Sequence, residues 1–267
     1  MEDQSLWLGA LRRPMKLLMF GFMGLTALLY VWLVANHVLS ADAVGMNEMI
    51  RPQGRPIVIV TLLSFLGAIV LAGIYLSDFR GSIEPGPTGP FDILSLVISR
   101  IAMIMIAFIV LVMFYEVVSR YVFSRPTLWA NELSLWIAAF VFLFAGQYAM
   151  QQRSHIRIYV IYDMMPRWLQ KTSDVLSLFL LLFFTFALVW GGYTDAETRM
   201  LRMETFGTAW DPPIPGVVKP AILIIILLVA LQAISNVIAD WHKLPEHHGH
   251  DDIDEVEIEN IRKTLEK

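Results

Sequence analysis

Six apolar stretches, at 17–39, 57–77, 95–117, 132–151, 174–195 and 219–239, set the pattern of this chain. Each is close to the roughly 20 residues that cross about 30 Å of hydrocarbon. The apolar positions run on continuously and do not alternate, so they predict helices, which satisfy their own backbone in lipid. The stretch at 57–77 carries no charge, and the middles of all six are nearly free of ionisable side chains. The pattern predicts an all-α integral membrane protein, a bundle of six transmembrane helices.

Polar punctuation divides the rest. The segment GSIEPGPTGP at 81–90 combines glycine flexibility with proline stiffness and cannot be helical. It separates a two-span N-terminal extension (1–80) from a four-span part (91–241). A charged tail (242–267) follows. The two parts are unalike, so there is no internal repeat of the kind that marks many self-sufficient transporters. The run at 17–39 follows Arg12, Arg13 and Lys16, as a signal sequence would, but exceeds the usual length of a signal core. It is expected to be an uncleaved span.

Composition strengthens this picture. Of 267 residues, 57% are hydrophobic and 16% charged, against about 25% charged in soluble domains. Lys and Arg placement gives the orientation. With the N-terminus in the cytoplasm, inner segments hold twelve basic residues and outer segments seven, with Arg100 inside the third span. Six spans then place both termini in the cytoplasm. Tyr115, Tyr121, Trp129, Trp190, Tyr193 and Trp210 are expected at the outer headgroups, and Tyr75, Tyr159, Tyr162, Trp168 and Trp241 at the inner ones. The net charge of −4 is carried by the last seventeen residues, with seven acids and three bases. No basic cluster is dense enough for a nucleic-acid partner.

Candidate chemistry is sparse. The absence of cysteine excludes disulfides and thiolate chemistry. No phosphate loop, H-E-x-x-H or G-x-S-x-G occurs, so no ATPase, metalloprotease or serine-hydrolase signature is present. Arg100 has a stem long enough to snorkel to the inner headgroups, or it pairs with a neighbouring helix or partner subunit. Glu116 and Glu132 flank a short outer connection that also holds Arg120, Arg125 and Trp129. Two carboxylates are the minimum for glycoside hydrolysis, but a charge-paired corner that anchors the turn or docks a partner explains them better. Histidines do not face one another at mid-depth, so no bis-histidine haem site is expected. His247, His248, His250 and Asp251 supply donor types that could hold a metal, but a solvated tail is the better reading. The spaced apolar residues of that tail fit a short amphipathic helix. Thr26, Ser64, Ser134, Gln147, Thr185, Gln232 and Asn236 are candidates for interhelical hydrogen bonds worth about 0.6–2 kcal/mol. Gly21 with Gly24, and Gly67 with Gly73, are candidates for close helix approach.

One stretch carries a family pattern. It runs through YEVVSRYVFSRP from Tyr115 to Pro126, WANEL from Trp129, Gly146-Gln147, RSHIRI from Arg153, and Met165-Pro166. In order and spacing, residues 91–241 resemble the small membrane subunit (Q-type) of tripartite ATP-independent periplasmic (TRAP) transporters. Two departures stand out. Tyr159 replaces a frequent acid, and residues 1–90 add two spans to the usual four.

The resemblance implies a non-catalytic scaffold in a bacterial inner membrane, without cofactor. It would support the large membrane subunit of a sodium-coupled transporter for organic anions, carboxylates foremost. A periplasmic solute-binding protein would be the second partner, docking with help from Arg120, Arg125, Trp129 and Glu132. His155 and Arg157 would be structural at the inner face. The alternative is an anchoring or assembly subunit of another complex. The residues independently favour a scaffold, because a moving ion-binding half needs broken helices and polar groups at the midplane.

Overall fold

The computed structural model describes residues 5–39, 44–51, 55–79, 84, 86–153 and 165–241. All regular structure among them is helical. A 3-10 turn at Gly9–Leu11 leads into α1 (Arg12–Leu39), followed by α2 (Met46–Ile50), α3 (Pro56–Ser77), α4 (Pro90–Tyr121), α5 (Ala130–Gln151), α6 (Arg167–Leu201) and α7 (Ile214–Asp240). Every helix except the short α2 is long and apolar enough to cross a membrane. These six correspond to the six stretches read from the sequence. Helix α4 has 32 residues and α6 has 35. At 1.5 Å per residue each is about 50 Å long, so both extend past the hydrocarbon.

Local chemistry sets the helix ends. Pro56 and Pro90 open α3 and α4 at positions where the missing N–H has no helical partner to lose. Helix α6 ends in a left-handed turn at Met203, where Met203 N–H donates to Met200 O and Glu204 N–H to Arg199 O. Helix α7 starts directly against that turn. A Cβ on Gly216 would lie 3.0 Å from Glu204 N and 3.1 Å from Arg199 O, so only glycine fits there comfortably.

The helices pack in a row, α1–α3–α4–α5–α7–α6, with a slight contact between α4 and α7. They do not close around one core. The physical reason is the solvent, since lipid accepts apolar faces that water would force inward. Helix α6 forms one edge, and only 6% of its most apolar stretch is buried inside the protein. Phe179, Phe183, Phe186 and Trp190 all lie exposed along it.

Two glycines allow close approach within the row. Gly67 meets the Phe22 ring of α1, and a Cβ at Gly73 would be 2.6 Å from Ile101 Cγ1 of α4. Gly21 and Gly24 instead face open space, so the expected approach at that pair does not occur. Thr26 and Ser64 hydrogen-bond across α1 and α3 at 2.8 Å. Thr26 also donates back to Phe22 O.

The two ends of the row differ in chemistry. The near end holds the start of α1, the end of α3, the start of α4 and the ends of α5 and α7. The far end holds α2, the α4–α5 corner and the α6–α7 loop. That loop crosses to the extension, where Trp210 Nε1 donates to Met46 O and Arg51 pairs with Asp211 at 3.1 Å. Trp210 is buried in this contact and so does not serve as a headgroup anchor.

The glycine contacts predict a contrast in stability. Gly73→Ala forces α3 away from α4 and is expected to destabilise by about 1–3 kcal/mol. Gly21→Ala is expected to stay within about 0.5 kcal/mol of the parent. Thermal unfolding in one detergent checks both.

Candidate functional site

The far-end corner is the candidate docking surface. Helix α4 ends at Tyr121, Val122 N–H donates to Val118 O, and Ser124 takes a left-handed conformation at φ 54°. Arg125 N–H then donates to Ser119 O, which closes the turn. Beneath it lies the buried Glu116. Its carboxylate accepts from Arg120 through Nε at 2.9 Å and through Nη2, and from Thr127 through the amide at 3.0 Å and the hydroxyl. Tyr115 and Trp129 stack with ring centroids 5.7 Å apart.

The structure therefore divides the four corner residues proposed from the sequence. Arg120 is consumed in holding Glu116, and Trp129 in the stack. Glu132 lies apart and accepts from Thr208 Oγ1 at 2.6 Å, linking the corner to the α6–α7 loop. Arg125 is exposed, and its guanidinium has no partner among the described residues. It is the corner's free cation. Tyr121, Val122, Phe123 and Leu128 surround it with exposed apolar surface.

Other far-end charges pair with one another. Asp195 accepts from Arg199 and Lys219, each at 2.8 Å, which ties α6 to α7. Asp211 is held below the usual carboxylate range, first by the Gly207 N–H at 2.7 Å and also by Arg51.

The near end is a chain of polar clamps that follows the row. Burial pushes the Asp78 carboxyl up, but Leu8 and Trp7 N–H, Ser5 and Arg12 together hold it below its ordinary value. Arg12 Nε lies 3.4 Å from Asp78 Oδ2, and its guanidinium sits over the Phe79 ring. Arg100 Nη2 reaches Glu84 at 2.6 Å and Phe79 O at 3.0 Å. Tyr148 of α5 donates to the other oxygen of Glu84 at 2.8 Å. Arg100 thus pairs within the chain, reaching back toward the near end from about three turns into α4.

A buried network then joins α4, α5 and α7. Asp92 accepts from Thr88, through both the amide and the hydroxyl, and from Gln232 Nε2 at 2.6 Å. Gln147 Nε2 donates to Ser95 Oγ, which donates to Gln232 Oε1. Asn236 donates to Met150 O at 2.7 Å, and Arg153 pairs with Asp240 at 2.5 Å. A carboxylate, two glutamines and an asparagine therefore fix three helices in one register.

Gln147, Gln232 and Asn236 are among the interhelical candidates read from the sequence. Among the described residues Ser134 Oγ and Thr185 Oγ1 find no hydrogen-bond partner. The sequence reading missed Asp78, Glu84 and Asp92. For Asp92 a signal existed. Thr88-Gly-Pro-Phe-Asp92 places an acid in the first turn behind a proline, a helix-start pattern. His155, Arg157, Tyr159 and the histidine-rich tail lie outside the described residues. Among the described residues no group of three or more metal-ligating side chains gathers.

Six spanning helices joined at both ends by polar clamps define a multi-pass membrane protein. A family profile described as "Tripartite ATP-independent periplasmic transporters, DctQ component" matches residues 109–243. That is half of the chain, and the chain belongs to this family of TRAP transporter small membrane subunits. The match begins midway along α4 and takes in the corner, α5, α6 and α7. No curated protein and no solved structure matches the chain.

Two outcomes test the clamps. Asp92→Ala removes the 2.6 Å acceptor of the buried Gln232 Nε2, which keeps only Asn236 Oδ1, while the exposed Thr88 can turn to water. The change is expected to cost about 1–3 kcal/mol in thermal unfolding. The Asp78 clamp depends on pH in a fixed direction. Its lowered value means ionisation favours the docked N-terminus above the ordinary value of 3.8, and the gain disappears as pH falls through the lowered value. Hydrogen exchange at the Trp7 and Leu8 amides should be slow at neutral pH. It should become fast in Asp78→Asn at every pH.

Proposed function

We propose that this chain is the stationary scaffold beside the large membrane subunit of a sodium-coupled TRAP transporter for organic anions, carboxylates foremost. It resides in a bacterial inner membrane with both termini in the cytoplasm. One observation carries this reading. Among the described residues the charged groups of the spans sit toward the helix ends, Arg100 reaching back to Glu84 from about three turns into α4, and most are engaged with one another. The mid-depth faces carry no charge and only isolated polar groups such as the Thr26–Ser64 pair. Ion coupling and alternating access need polar groups and broken helices at the midplane. Those requirements fall to a partner. The chain has no catalytic role in this reading.

The exposed row supports the same assignment. A scaffold shares apolar surface with lipid on one side and with a partner on the other. The two-span extension (1–80) widens the row, and the four-span unit (91–241) carries the family role. Arg125 and the apolar residues around it are the docking contact for the periplasmic solute-binding protein. A rim cation of this kind tunes encounter and orientation more than affinity.

Arg125→Glu is expected to slow association of the binding protein several-fold at low salt, with less effect at high salt. Recovery of the large subunit with the tagged chain should not change. Loss of the large subunit with unaltered binding-protein association would show that the corner only anchors the turn. The chain reconstituted alone should move no substrate, and uptake by proteoliposomes without a large subunit would overturn the scaffold reading.

A further inference from the structure

At the near end, α6 and the residue that follows α7 flank an open groove of about 470 Å³ lined by Lys171, Thr172, Val175, Leu176, Phe179 and Trp241. Nothing in the scaffold reading uses it. We propose that this groove binds an anionic glycerophospholipid of the near leaflet, with the phosphate at Lys171 and one acyl chain along Val175, Leu176 and Phe179.

The groove has a charged mouth and an apolar floor. Lys171 lies one turn inside the start of α6, and its Nζ is 4.8 Å from the centre of the Trp241 ring. That contact fixes the ammonium beside an indole at the end of α7, the depth at which aromatic rings favour the headgroup layer. Lys171 is half-buried and has no carboxylate partner among the described residues. Asp174, on the next turn, has an interaction of its own.

The floor runs into the hydrocarbon. Lys171 to Phe179 is eight helical steps, about 12 Å along the helix. That is most of the roughly 15 Å occupied by one leaflet's acyl chains. Val175, Leu176 and Phe179 are exposed and continue the bare lipid-facing edge of α6. One cation at headgroup depth above an open apolar trough complements a molecule with one anionic head and long tails. An apolar partner helix would fill the trough but leave the ammonium without a counter-charge.

Native mass spectrometry of the full chain, titrated with phosphatidylglycerol or phosphatidylcholine of identical acyl chains, tests the proposal. The parent is expected to retain one phosphatidylglycerol about fivefold more strongly than phosphatidylcholine, the factor due to one lysine at an anionic lipid surface. Lys171→Ala should abolish the preference and Lys171→Arg should keep it. Leu176→Trp, which fills the trough and keeps the charge, should lose the bound lipid altogether. Equal retention of both lipids, or a preference unchanged by Lys171→Ala, would overturn the proposal. So would a crosslink from position 176 to the large subunit in a complex without bound lipid. Failure of any arm leaves the scaffold reading intact, because that reading does not depend on this groove.

Discussion

Apolar helices in lipid gain nothing from burying their surfaces against one another, because the acyl chains are as apolar as they are. Cohesion must come from close packing and from polar contacts. In this chain both occur at definite places. Gly67 and Gly73 bring α3 close to its two neighbours. At its near end Asp78 joins α3 to the start of α1, Glu84 joins α4 to α5, and Asp92 joins α4 to α7 past the intervening α5. Removing the acid from the Asp78–Arg12 or Glu84–Arg100 ion pair strands a largely buried arginine, at a cost of about 3–5 kcal/mol. The clamps therefore specify which helix follows which, more than they add net stability.

The arrangement ties an open row together at both ends. Asp92, Ser95, Gln147, Gln232 and Asn236 lock α4, α5 and α7, while Glu132 with Thr208 and Asp195 with Lys219 secure the opposite end. With both ends held, the apolar middles are free to face lipid or a partner. The α4–α5 corner stands on the buried Glu116, which consumes Arg120 and leaves Arg125 to project. A structural carboxylate and an exposed arginine thus divide the labour within one turn.

Most of the fold was legible in the sequence because it rests on hydropathy and length, which are local. All six spans follow from the apolar runs, and the family pattern follows from spacing within 115–166. The clamps were less legible because they depend on which helices become neighbours. Glu84 reads as part of a loose Gly/Pro linker until Arg100 and Tyr148 are placed around it. Gly21 and Gly24 read like Gly67 and Gly73, but they lie on a face with nothing opposite. Trp210 reads as a headgroup anchor, yet the loop that carries it folds back over α2. In each case the deciding fact is long-range packing. Arg120 and Arg125 are equally basic in sequence, and only the position of Glu116 separates them.

The central claim is that this row keeps its shape while its partner moves. The chain has no cysteine, so spin labels can be introduced singly. Leu11 and Trp168 are exposed, near the two opposite edges of the row. Pulsed dipolar spectroscopy between labels at these positions, in the complete transporter with and without substrate and binding protein, is the most direct measurement. The account predicts one narrow distance distribution that does not shift between conditions. A shift exceeding one helical turn, about 5 Å, would contradict it and make this subunit part of the moving machinery.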